Sequence, residues 1–143
     1  MVQRYLNKIS GPLLDRIDLH VEVTPVPFTE LSSTRQSENS DAIRERVIRA
    51  RQIQTERFKE HPGIFANAQM SSRLLKEICV LNPVGQKLLK AAMDRLNLSA
   101  RAYDRILKVS RTIADLAASE DIRPEHLAEA IQYRSLDREN WGG

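Results

Sequence analysis

Arg101, Arg105 and Lys108 recur four and three residues apart in LSARAYDRILKVS, just after Ser99. On a helix that spacing puts three cations on one face. Such a face suits an anion such as phosphate, and Ser99 is placed to cap the helix in front of it. The same spacing sets Asp104 three residues from Arg101 and four from Lys108, so the face also reads as solvated ion pairs. Periodicity alone favours the second reading. Arg16 is a separate candidate, standing between Asp15 and Asp18 in SGPLLDRIDLHVEV where a short helix hands over to an alternating run. An arginine projecting from such a junction can neutralise charge on a transferring phosphoryl group, an effect of about 10³ to 10⁵ in rate where it operates. A salt bridge to Asp15 or Asp18 is the alternative, and the residues favour neither.

Other chemistry finds less support. The phosphate-loop pattern G-x-x-x-x-G-K-[ST] is absent, and the glycines stand only at 11, 63, 85, 142 and 143. His20, His61 and His126 lie far apart, with no second histidine or cysteine at ligand spacing, so no metal site is expected. No serine, cysteine or carboxylate pair has the spacing of a nucleophile with its base. The chain by itself does not read as an enzyme. Arg44, Arg46, Arg49, Arg51 and Arg57 crowd one segment, but Asp41, Glu45, Glu56 and Glu60 offset most of that charge. A stand-alone basic DNA-binding domain would use these arginines on phosphates, and a solvated face is the stronger reading.

The elements that must position these residues are mostly helical. The 143 residues are enough for one core, and 41% apolar with 29% charged residues fits a folded soluble protein. The net charge of +3 permits nucleic-acid contact without demanding it. The lone Cys79, in KEICVL, excludes an internal disulfide and reads as a buried, unreactive thiol of a reducing compartment. No apolar run reaches the roughly 18 residues that span a membrane, so a cytoplasmic protein is expected.

RYLNKIS predicts two helical turns, broken by Gly11-Pro12. Ile17, Leu19, Val21 and Val23 alternate with polar residues, which predicts a strand. No second alternating run follows, so the strand is expected to belong to a sheet outside this chain. Residues 24–40 show no period and predict a linker. Ser40 is expected to cap a helix to about Glu60 with Ile43, Val47 and Ala50 inward, stopped by His61-Pro62-Gly63. Ser71 caps a short helix burying Leu74, Leu75 and Ile78. Asn82-Pro83 opens another, to about Asn97, burying Leu88, Leu89, Ala92 and Leu96. Ser99 opens the longest, with Ala102, Ile106, Val109, Ile113 and Leu116 inward, and Pro124 starts a last helix through Arg134.

RYLNKISGPLLDRIDLHVEV, SDAIRERVIRARQIQTERF, LSARAYDRILKVSRTIADLA and EAIQYRSLDRENW together resemble, in order and over nearly the whole chain, the C-terminal part of the magnesium-chelatase-like AAA+ ATPases. This bacterial family includes a DNA branch-migration helicase. The resemblance implies an all-α helical lid of about five helices, preceded by a short helix–strand remnant of the α/β ATPase core. It divides the chain into a core edge (1–24), a linker (25–40), the lid (41–136) and a flexible tail (137–143). Arg16 falls on the family's arginine finger, reaching the ATP site of the adjacent subunit in a ring. Asp15 and Asp18 would orient its loop. Ser-x-Arg at the start of the long helix resembles sensor 2, which puts Arg101 on the γ-phosphate, while Arg105 has no assigned role beyond a supporting one. ATP and magnesium belong to the parent protein, and neither is expected in this chain. The implied partners are further subunits of the same ring, a hexamer, with DNA met through the full assembly. A helical module that docks a protein partner is the alternative.

Overall fold

The computed structural model describes residues 8–134, and the expected all-α architecture is what it shows. The elements are α1 (Gly11–Leu14), α2 (Phe28–Leu31), α3 (Ser40–Arg57), a 3-10 turn (Asn67–Gln69), α4 (Ser72–Ile78), α5 (Pro83–Leu96), α6 (Ala100–Leu116) and α7 (Pro124–Gln132). The five expected helices are α3 to α7. No described helix is long and apolar enough to cross a membrane. The turns expected over RYLNKIS and the tail from residue 135 lie largely or wholly outside the described residues.

Gly11-Pro12 opens α1, because proline in a first turn gives up no hydrogen bond that the turn would make. One expectation near the N-terminus needs correction: residues 17–23 are not a strand. Among the described residues no segment pairs with them, and a strand needs a ladder for its backbone groups. They run extended, and His20 N–H donates to the Tyr133 carbonyl at 2.7 Å. Residues 24–39, expected to run extended, are exposed and carry the one-turn α2.

The helix starts follow local capping chemistry. Ser71, Asn82 and Ser99 each accept the backbone N–H three residues on, at 3.3, 2.7 and 3.1 Å. For α3 the cap is Asn39, not Ser40: extended backbone at Asn39 lets its side chain accept from Ala42 N–H at 2.8 Å. At α7 the His126 Nδ1 accepts the Arg123 N–H at 3.1 Å. α3 ends at Arg57 because Phe58 leaves helical geometry and turns into the core, where it is 2% exposed. Gly63, at φ +83, then reverses the chain. α5 ends at Asn97 in the left-handed region.

α6 is the hub, packed by α3, α4, α7 and the 3-10 turn, with α5 laid against α7. The apolar core joins Phe58, Met70, Leu74, Leu75, Leu81, Leu89, Ile106, Leu107, Ile122 and Leu127. The buried stripe of α6 is rotated from the expected one. Ala102 and Ile106 are buried, but Leu116 is exposed, and Leu107, Ser110, Arg111, Ala114 and Asp115 are inside. The apolar face of α3 is likewise half used: Ile43 and Val47 are exposed, and burial begins at Ala50.

The polar residues inside are mutually satisfied. Arg57 grips the Asp115 carboxylate at 2.8 and 2.5 Å, Arg111 Nε donates to it at 3.1 Å and Asn67 Nδ2 at 2.8 Å. Arg111 also donates to the carbonyls of Ser119 and Glu120 at 2.6 and 2.7 Å. Asn67 N–H donates to the buried Gln54 side chain at 3.0 Å, and its Oδ1 accepts from Arg57 at 2.9 Å. One carboxylate therefore ties α3, the 3-10 turn, α6 and the loop after α6.

Asp115→Ala leaves two part-buried or buried guanidiniums without their carboxylate, and should lower unfolding free energy by about 3–5 kcal/mol in urea titration. A loss under about 1 kcal/mol would show the network to be dispensable. Cys79 supplies a pH test, since burial pushes its thiol up to about 11. The fold favours the neutral thiol, so the contribution is whole below the ordinary thiol value and fades as pH rises through the folded one. The stability gap between the native sequence and Cys79→Ala should narrow from about pH 8 to about pH 10.5, and a constant gap would contradict it.

Candidate functional site

The turn that carries Arg16 begins in α1. Leu14 N–H donates to the Ser10 carbonyl, Asp15 N–H to Gly11, Arg16 N–H to Leu13 and Ile17 N–H to Leu14, at 3.0–3.1 Å. The coil therefore continues one turn past α1. A helix end leaves carbonyls without backbone donors and with partial negative charge. Here two arginines from the helical body meet them. Arg105 Nε, on α6, donates to the Asp15 carbonyl at 3.1 Å, and its guanidinium forms an ion pair with Asp18. Arg134, just past α7 and 1% exposed, donates to the Ile17 carbonyl and, at 3.5 Å, to that of Leu14. The bond from His20 to Tyr133 continues the attachment.

Arg16 itself is exposed, and its side chain makes no hydrogen bond or ion pair with another described residue. Neither expected alternative partner is taken: Asp18 is engaged by Arg105, and Asp15 contributes its carbonyl.

The three cations of α6 separate into different uses. Arg105 holds the turn, and Lys108 Nζ donates to the Ala68 carbonyl at 2.9 Å. Asp104, read from sequence as their ion-pair partner, accepts instead from the Ser72 hydroxyl at 2.9 Å. Arg101 is exposed in the first turn of α6 and, like Arg16, makes no side-chain bond with another described residue. Arg101 and Arg105 are four residues apart and so lie on one face, about 6 Å between their Cβ atoms. An open cleft of about 430 Å³ separates Gly11, Pro12, Leu14 and Asp15 from the α5–α6 turn ending at Ser99. Leu14 and Asp15 of the turn and Ser99, the cap of α6, line this opening, while Arg16 and Arg101 do not.

Sequence reasoning named Arg16, Arg101, Arg105, Asp15 and Asp18, and the structure brings Arg105, Asp15 and Asp18 into direct contact. It missed Arg134. The available signal was position: Arg134 follows Leu127, Ala130 and Ile131 on the inward face of α7, and a cation there needs buried acceptors. Three of the five arginines of α3 are committed, while Arg49 and Arg51 are exposed with no side-chain partner among the described residues. Arg44 pairs with Asp41 at 2.9 Å, Arg57 with Asp115, and Arg46 with Glu38 at 2.5 Å. The hydrogen bond from Arg46 holds the Glu38 carboxyl below its usual value, and Glu38 raises Arg46 in turn. Among the described residues no group of three His, Cys, Asp or Glu side chains could hold a metal ion.

The family described as the magnesium chelatase ChlI subunit, C-terminal region, matches residues 37–134, and the magnesium chelatase ChlI subunit family matches residues 1–31. The chain is 45% identical over 138 residues to the competence protein ComM of Haemophilus influenzae, covering 96% of this chain and 26% of that one. It is 41% identical over 137 residues to the uncharacterized protein YifB of Salmonella typhimurium, covering 94% and 26%. It is 36% identical over 132 residues to the uncharacterized protein Rv2897c of Mycobacterium tuberculosis, covering 92% and 26%. The chain spans about a quarter of the length of these curated relatives.

The two arginines that hold the turn differ in burial, and their removal should differ in cost. Arg134→Ala takes a buried, hydrogen-bonded cation out of the core and should cost about 2–4 kcal/mol in urea unfolding. Arg105→Ala, at a half-exposed pair, should cost no more than about 1 kcal/mol. Equal costs would contradict this assignment.

Proposed function

Because the chain belongs to the magnesium chelatase ChlI C-terminal family, we propose that it is the lid and arginine-finger segment of a ring-forming AAA+ ATPase that couples ATP hydrolysis to remodelling of DNA. The observation that carries this reading is the contrast among the arginines. Arg105, Arg111 and Arg134 are consumed in holding the fold, while Arg16 and Arg101 stand exposed with their side chains unbonded to other described residues. A group that acts on a phosphate must be available to it.

In this proposal Arg16 reaches the ATP site of the adjacent subunit and meets charge as it builds on the γ-phosphoryl oxygens. Its planar fork and permanent charge suit that task better than a lysine would. Arg101 contacts the γ-phosphate from the first turn of the lid's longest helix, where the helix N-terminus adds favourable potential for an anion. The described residues do not fit a magnesium site, so the metal and the phosphate loop are assigned to other parts of the full-length parent. Residues 1–24 form the edge of its core, residues 25–40 are the linker and the lid begins at 41. The parent works as a ring of identical subunits, a hexamer, and meets DNA through the whole assembly. The DNA part of the proposal is supported by the resemblance to branch-migration helicases. A stand-alone DNA binder is less well supported, since Arg44, Arg46 and Arg57 already have carboxylate partners.

In the full-length parent Arg16→Ala should lower steady-state kcat for ATP by at least about 100-fold. Nucleotide affinity should stay within about threefold, since a finger acts on the transition state. An unchanged kcat would reduce Arg16 to a surface residue and leave the family assignment standing for fold alone.

A further inference from the structure

Arg16 sits on a turn whose attachments run sideways into the helical body rather than along the chain. Upstream of α3, residues 21–37 are exposed, and their hydrogen bonds are local ones within 27–35. That stretch cannot transmit a position. The turn itself is held at the carbonyls of Leu14, Asp15 and Ile17, at the Asp18 carboxylate, and through His20 at Tyr133. All five anchors lead to α6 or to the end of α7, the two helices that pack most closely on each other.

The attachment is stiff for an electrostatic reason. Arg134 is 1% exposed, and a buried guanidinium is tolerated only with acceptors around it. Lifting the turn away would take two carbonyls from that cation. Arg105 adds the second hold from α6, one helical turn beyond Arg101.

We infer that Arg105 and Arg134 are positioning residues that set the Arg16 turn, fixing the backbone beneath the finger while its guanidinium stays available. The inference rests on the reading of Arg16 as a finger.

The experiment uses the full-length parent with Arg16→Ala, Arg105→Ala, Arg105→Lys and the double variant Arg16→Ala/Arg105→Ala. Arg105→Ala is expected to lower kcat about 10-fold with KM for ATP within about twofold, because the finger is mis-set rather than lost. Arg105→Lys, which keeps the charge opposite Asp18, should recover to within about threefold of the native rate. In the Arg16→Ala background the same change should cost less than about twofold, since the two residues act as one unit. Amide exchange at Arg16 and Ile17 should rise at least about 10-fold in Arg105→Ala. A normal kcat in Arg105→Ala beside a crippled Arg16→Ala would overturn the coupling and leave the finger standing. Full multiplication of the two losses would overturn it equally. If Arg16→Ala is itself unimpaired, the finger reading falls, and unchanged exchange at the turn would then sink the attachment as well. Asp18→Asn, which removes the same ion pair from an exposed position, repeats the kcat and exchange readouts should Arg105→Ala fold poorly.

Discussion

The structure depends on one buried carboxylate. Asp115 receives Arg57 from α3, Arg111 from its own helix and Asn67 from the 3-10 turn, while Arg111 reaches on to the loop at Ser119 and Glu120. A buried carboxylate without partners would be driven to protonate or to drag in water. With four charge-assisted bonds it fixes the register of three segments against α6 at once. Replacing it with packed apolar residues could leave stability unchanged, because burial of an ion pair often breaks even. What the network adds here is geometric: the buried residues of α3, Ala50 and Gln54, lie toward its C-terminal end, and Arg57 ties that end to Asp115 of α6.

That constraint explains which parts of the fold were legible in the sequence. Helix starts are local chemistry, so Ser71, Asn82 and Ser99 identify α4, α5 and α6 without tertiary information. The face of a helix is not local. An apolar count puts Val109, Ile113 and Leu116 inside α6, whereas the buried side also holds Ser110, Arg111 and Asp115. The i,i+4 spacing of Arg111 and Asp115 looks like a surface ion pair until Arg57 and Asn67, 58 and 48 residues away along the chain from Asp115, are seen to join it. Ile43 and Val47 fail in the opposite direction. They have helical spacing and apolar character, yet nothing among the described residues covers them.

The site shows the same division. Alternation at Ile17, Leu19, Val21 and Val23 describes a side-chain pattern, and pattern alone cannot supply the ladder that makes a strand. Val21 and Val23 are 68% and 88% exposed, so the alternation has no buried face here. The types and spacing of Arg16, Asp15 and Asp18 were visible, but not which acid takes which base. Asp18 chose Arg105, 87 residues on, over its neighbour Arg16. A long-range ion pair of that kind leaves no trace in composition or period.

Arginine therefore stands in two opposed environments in this chain. Arg111 and Arg134 are almost fully enclosed, and they donate to backbone carbonyls and, for Arg111, to the Asp115 carboxylate. A guanidinium bound in that way cannot also reach a ligand, because its donors are spent and its stem is packed. Arg16 and Arg101 have the reverse condition, exposed and without a side-chain bond to another described residue, and the turn that carries Arg16 is held by Arg105 and Arg134. Precision at an exposed charge has to come from the rigidity of what carries it, since the charge itself has no partner to define its place. Holding Arg16 by its neighbours' carbonyls, rather than by its own guanidinium, keeps the fork available while fixing the backbone beneath it.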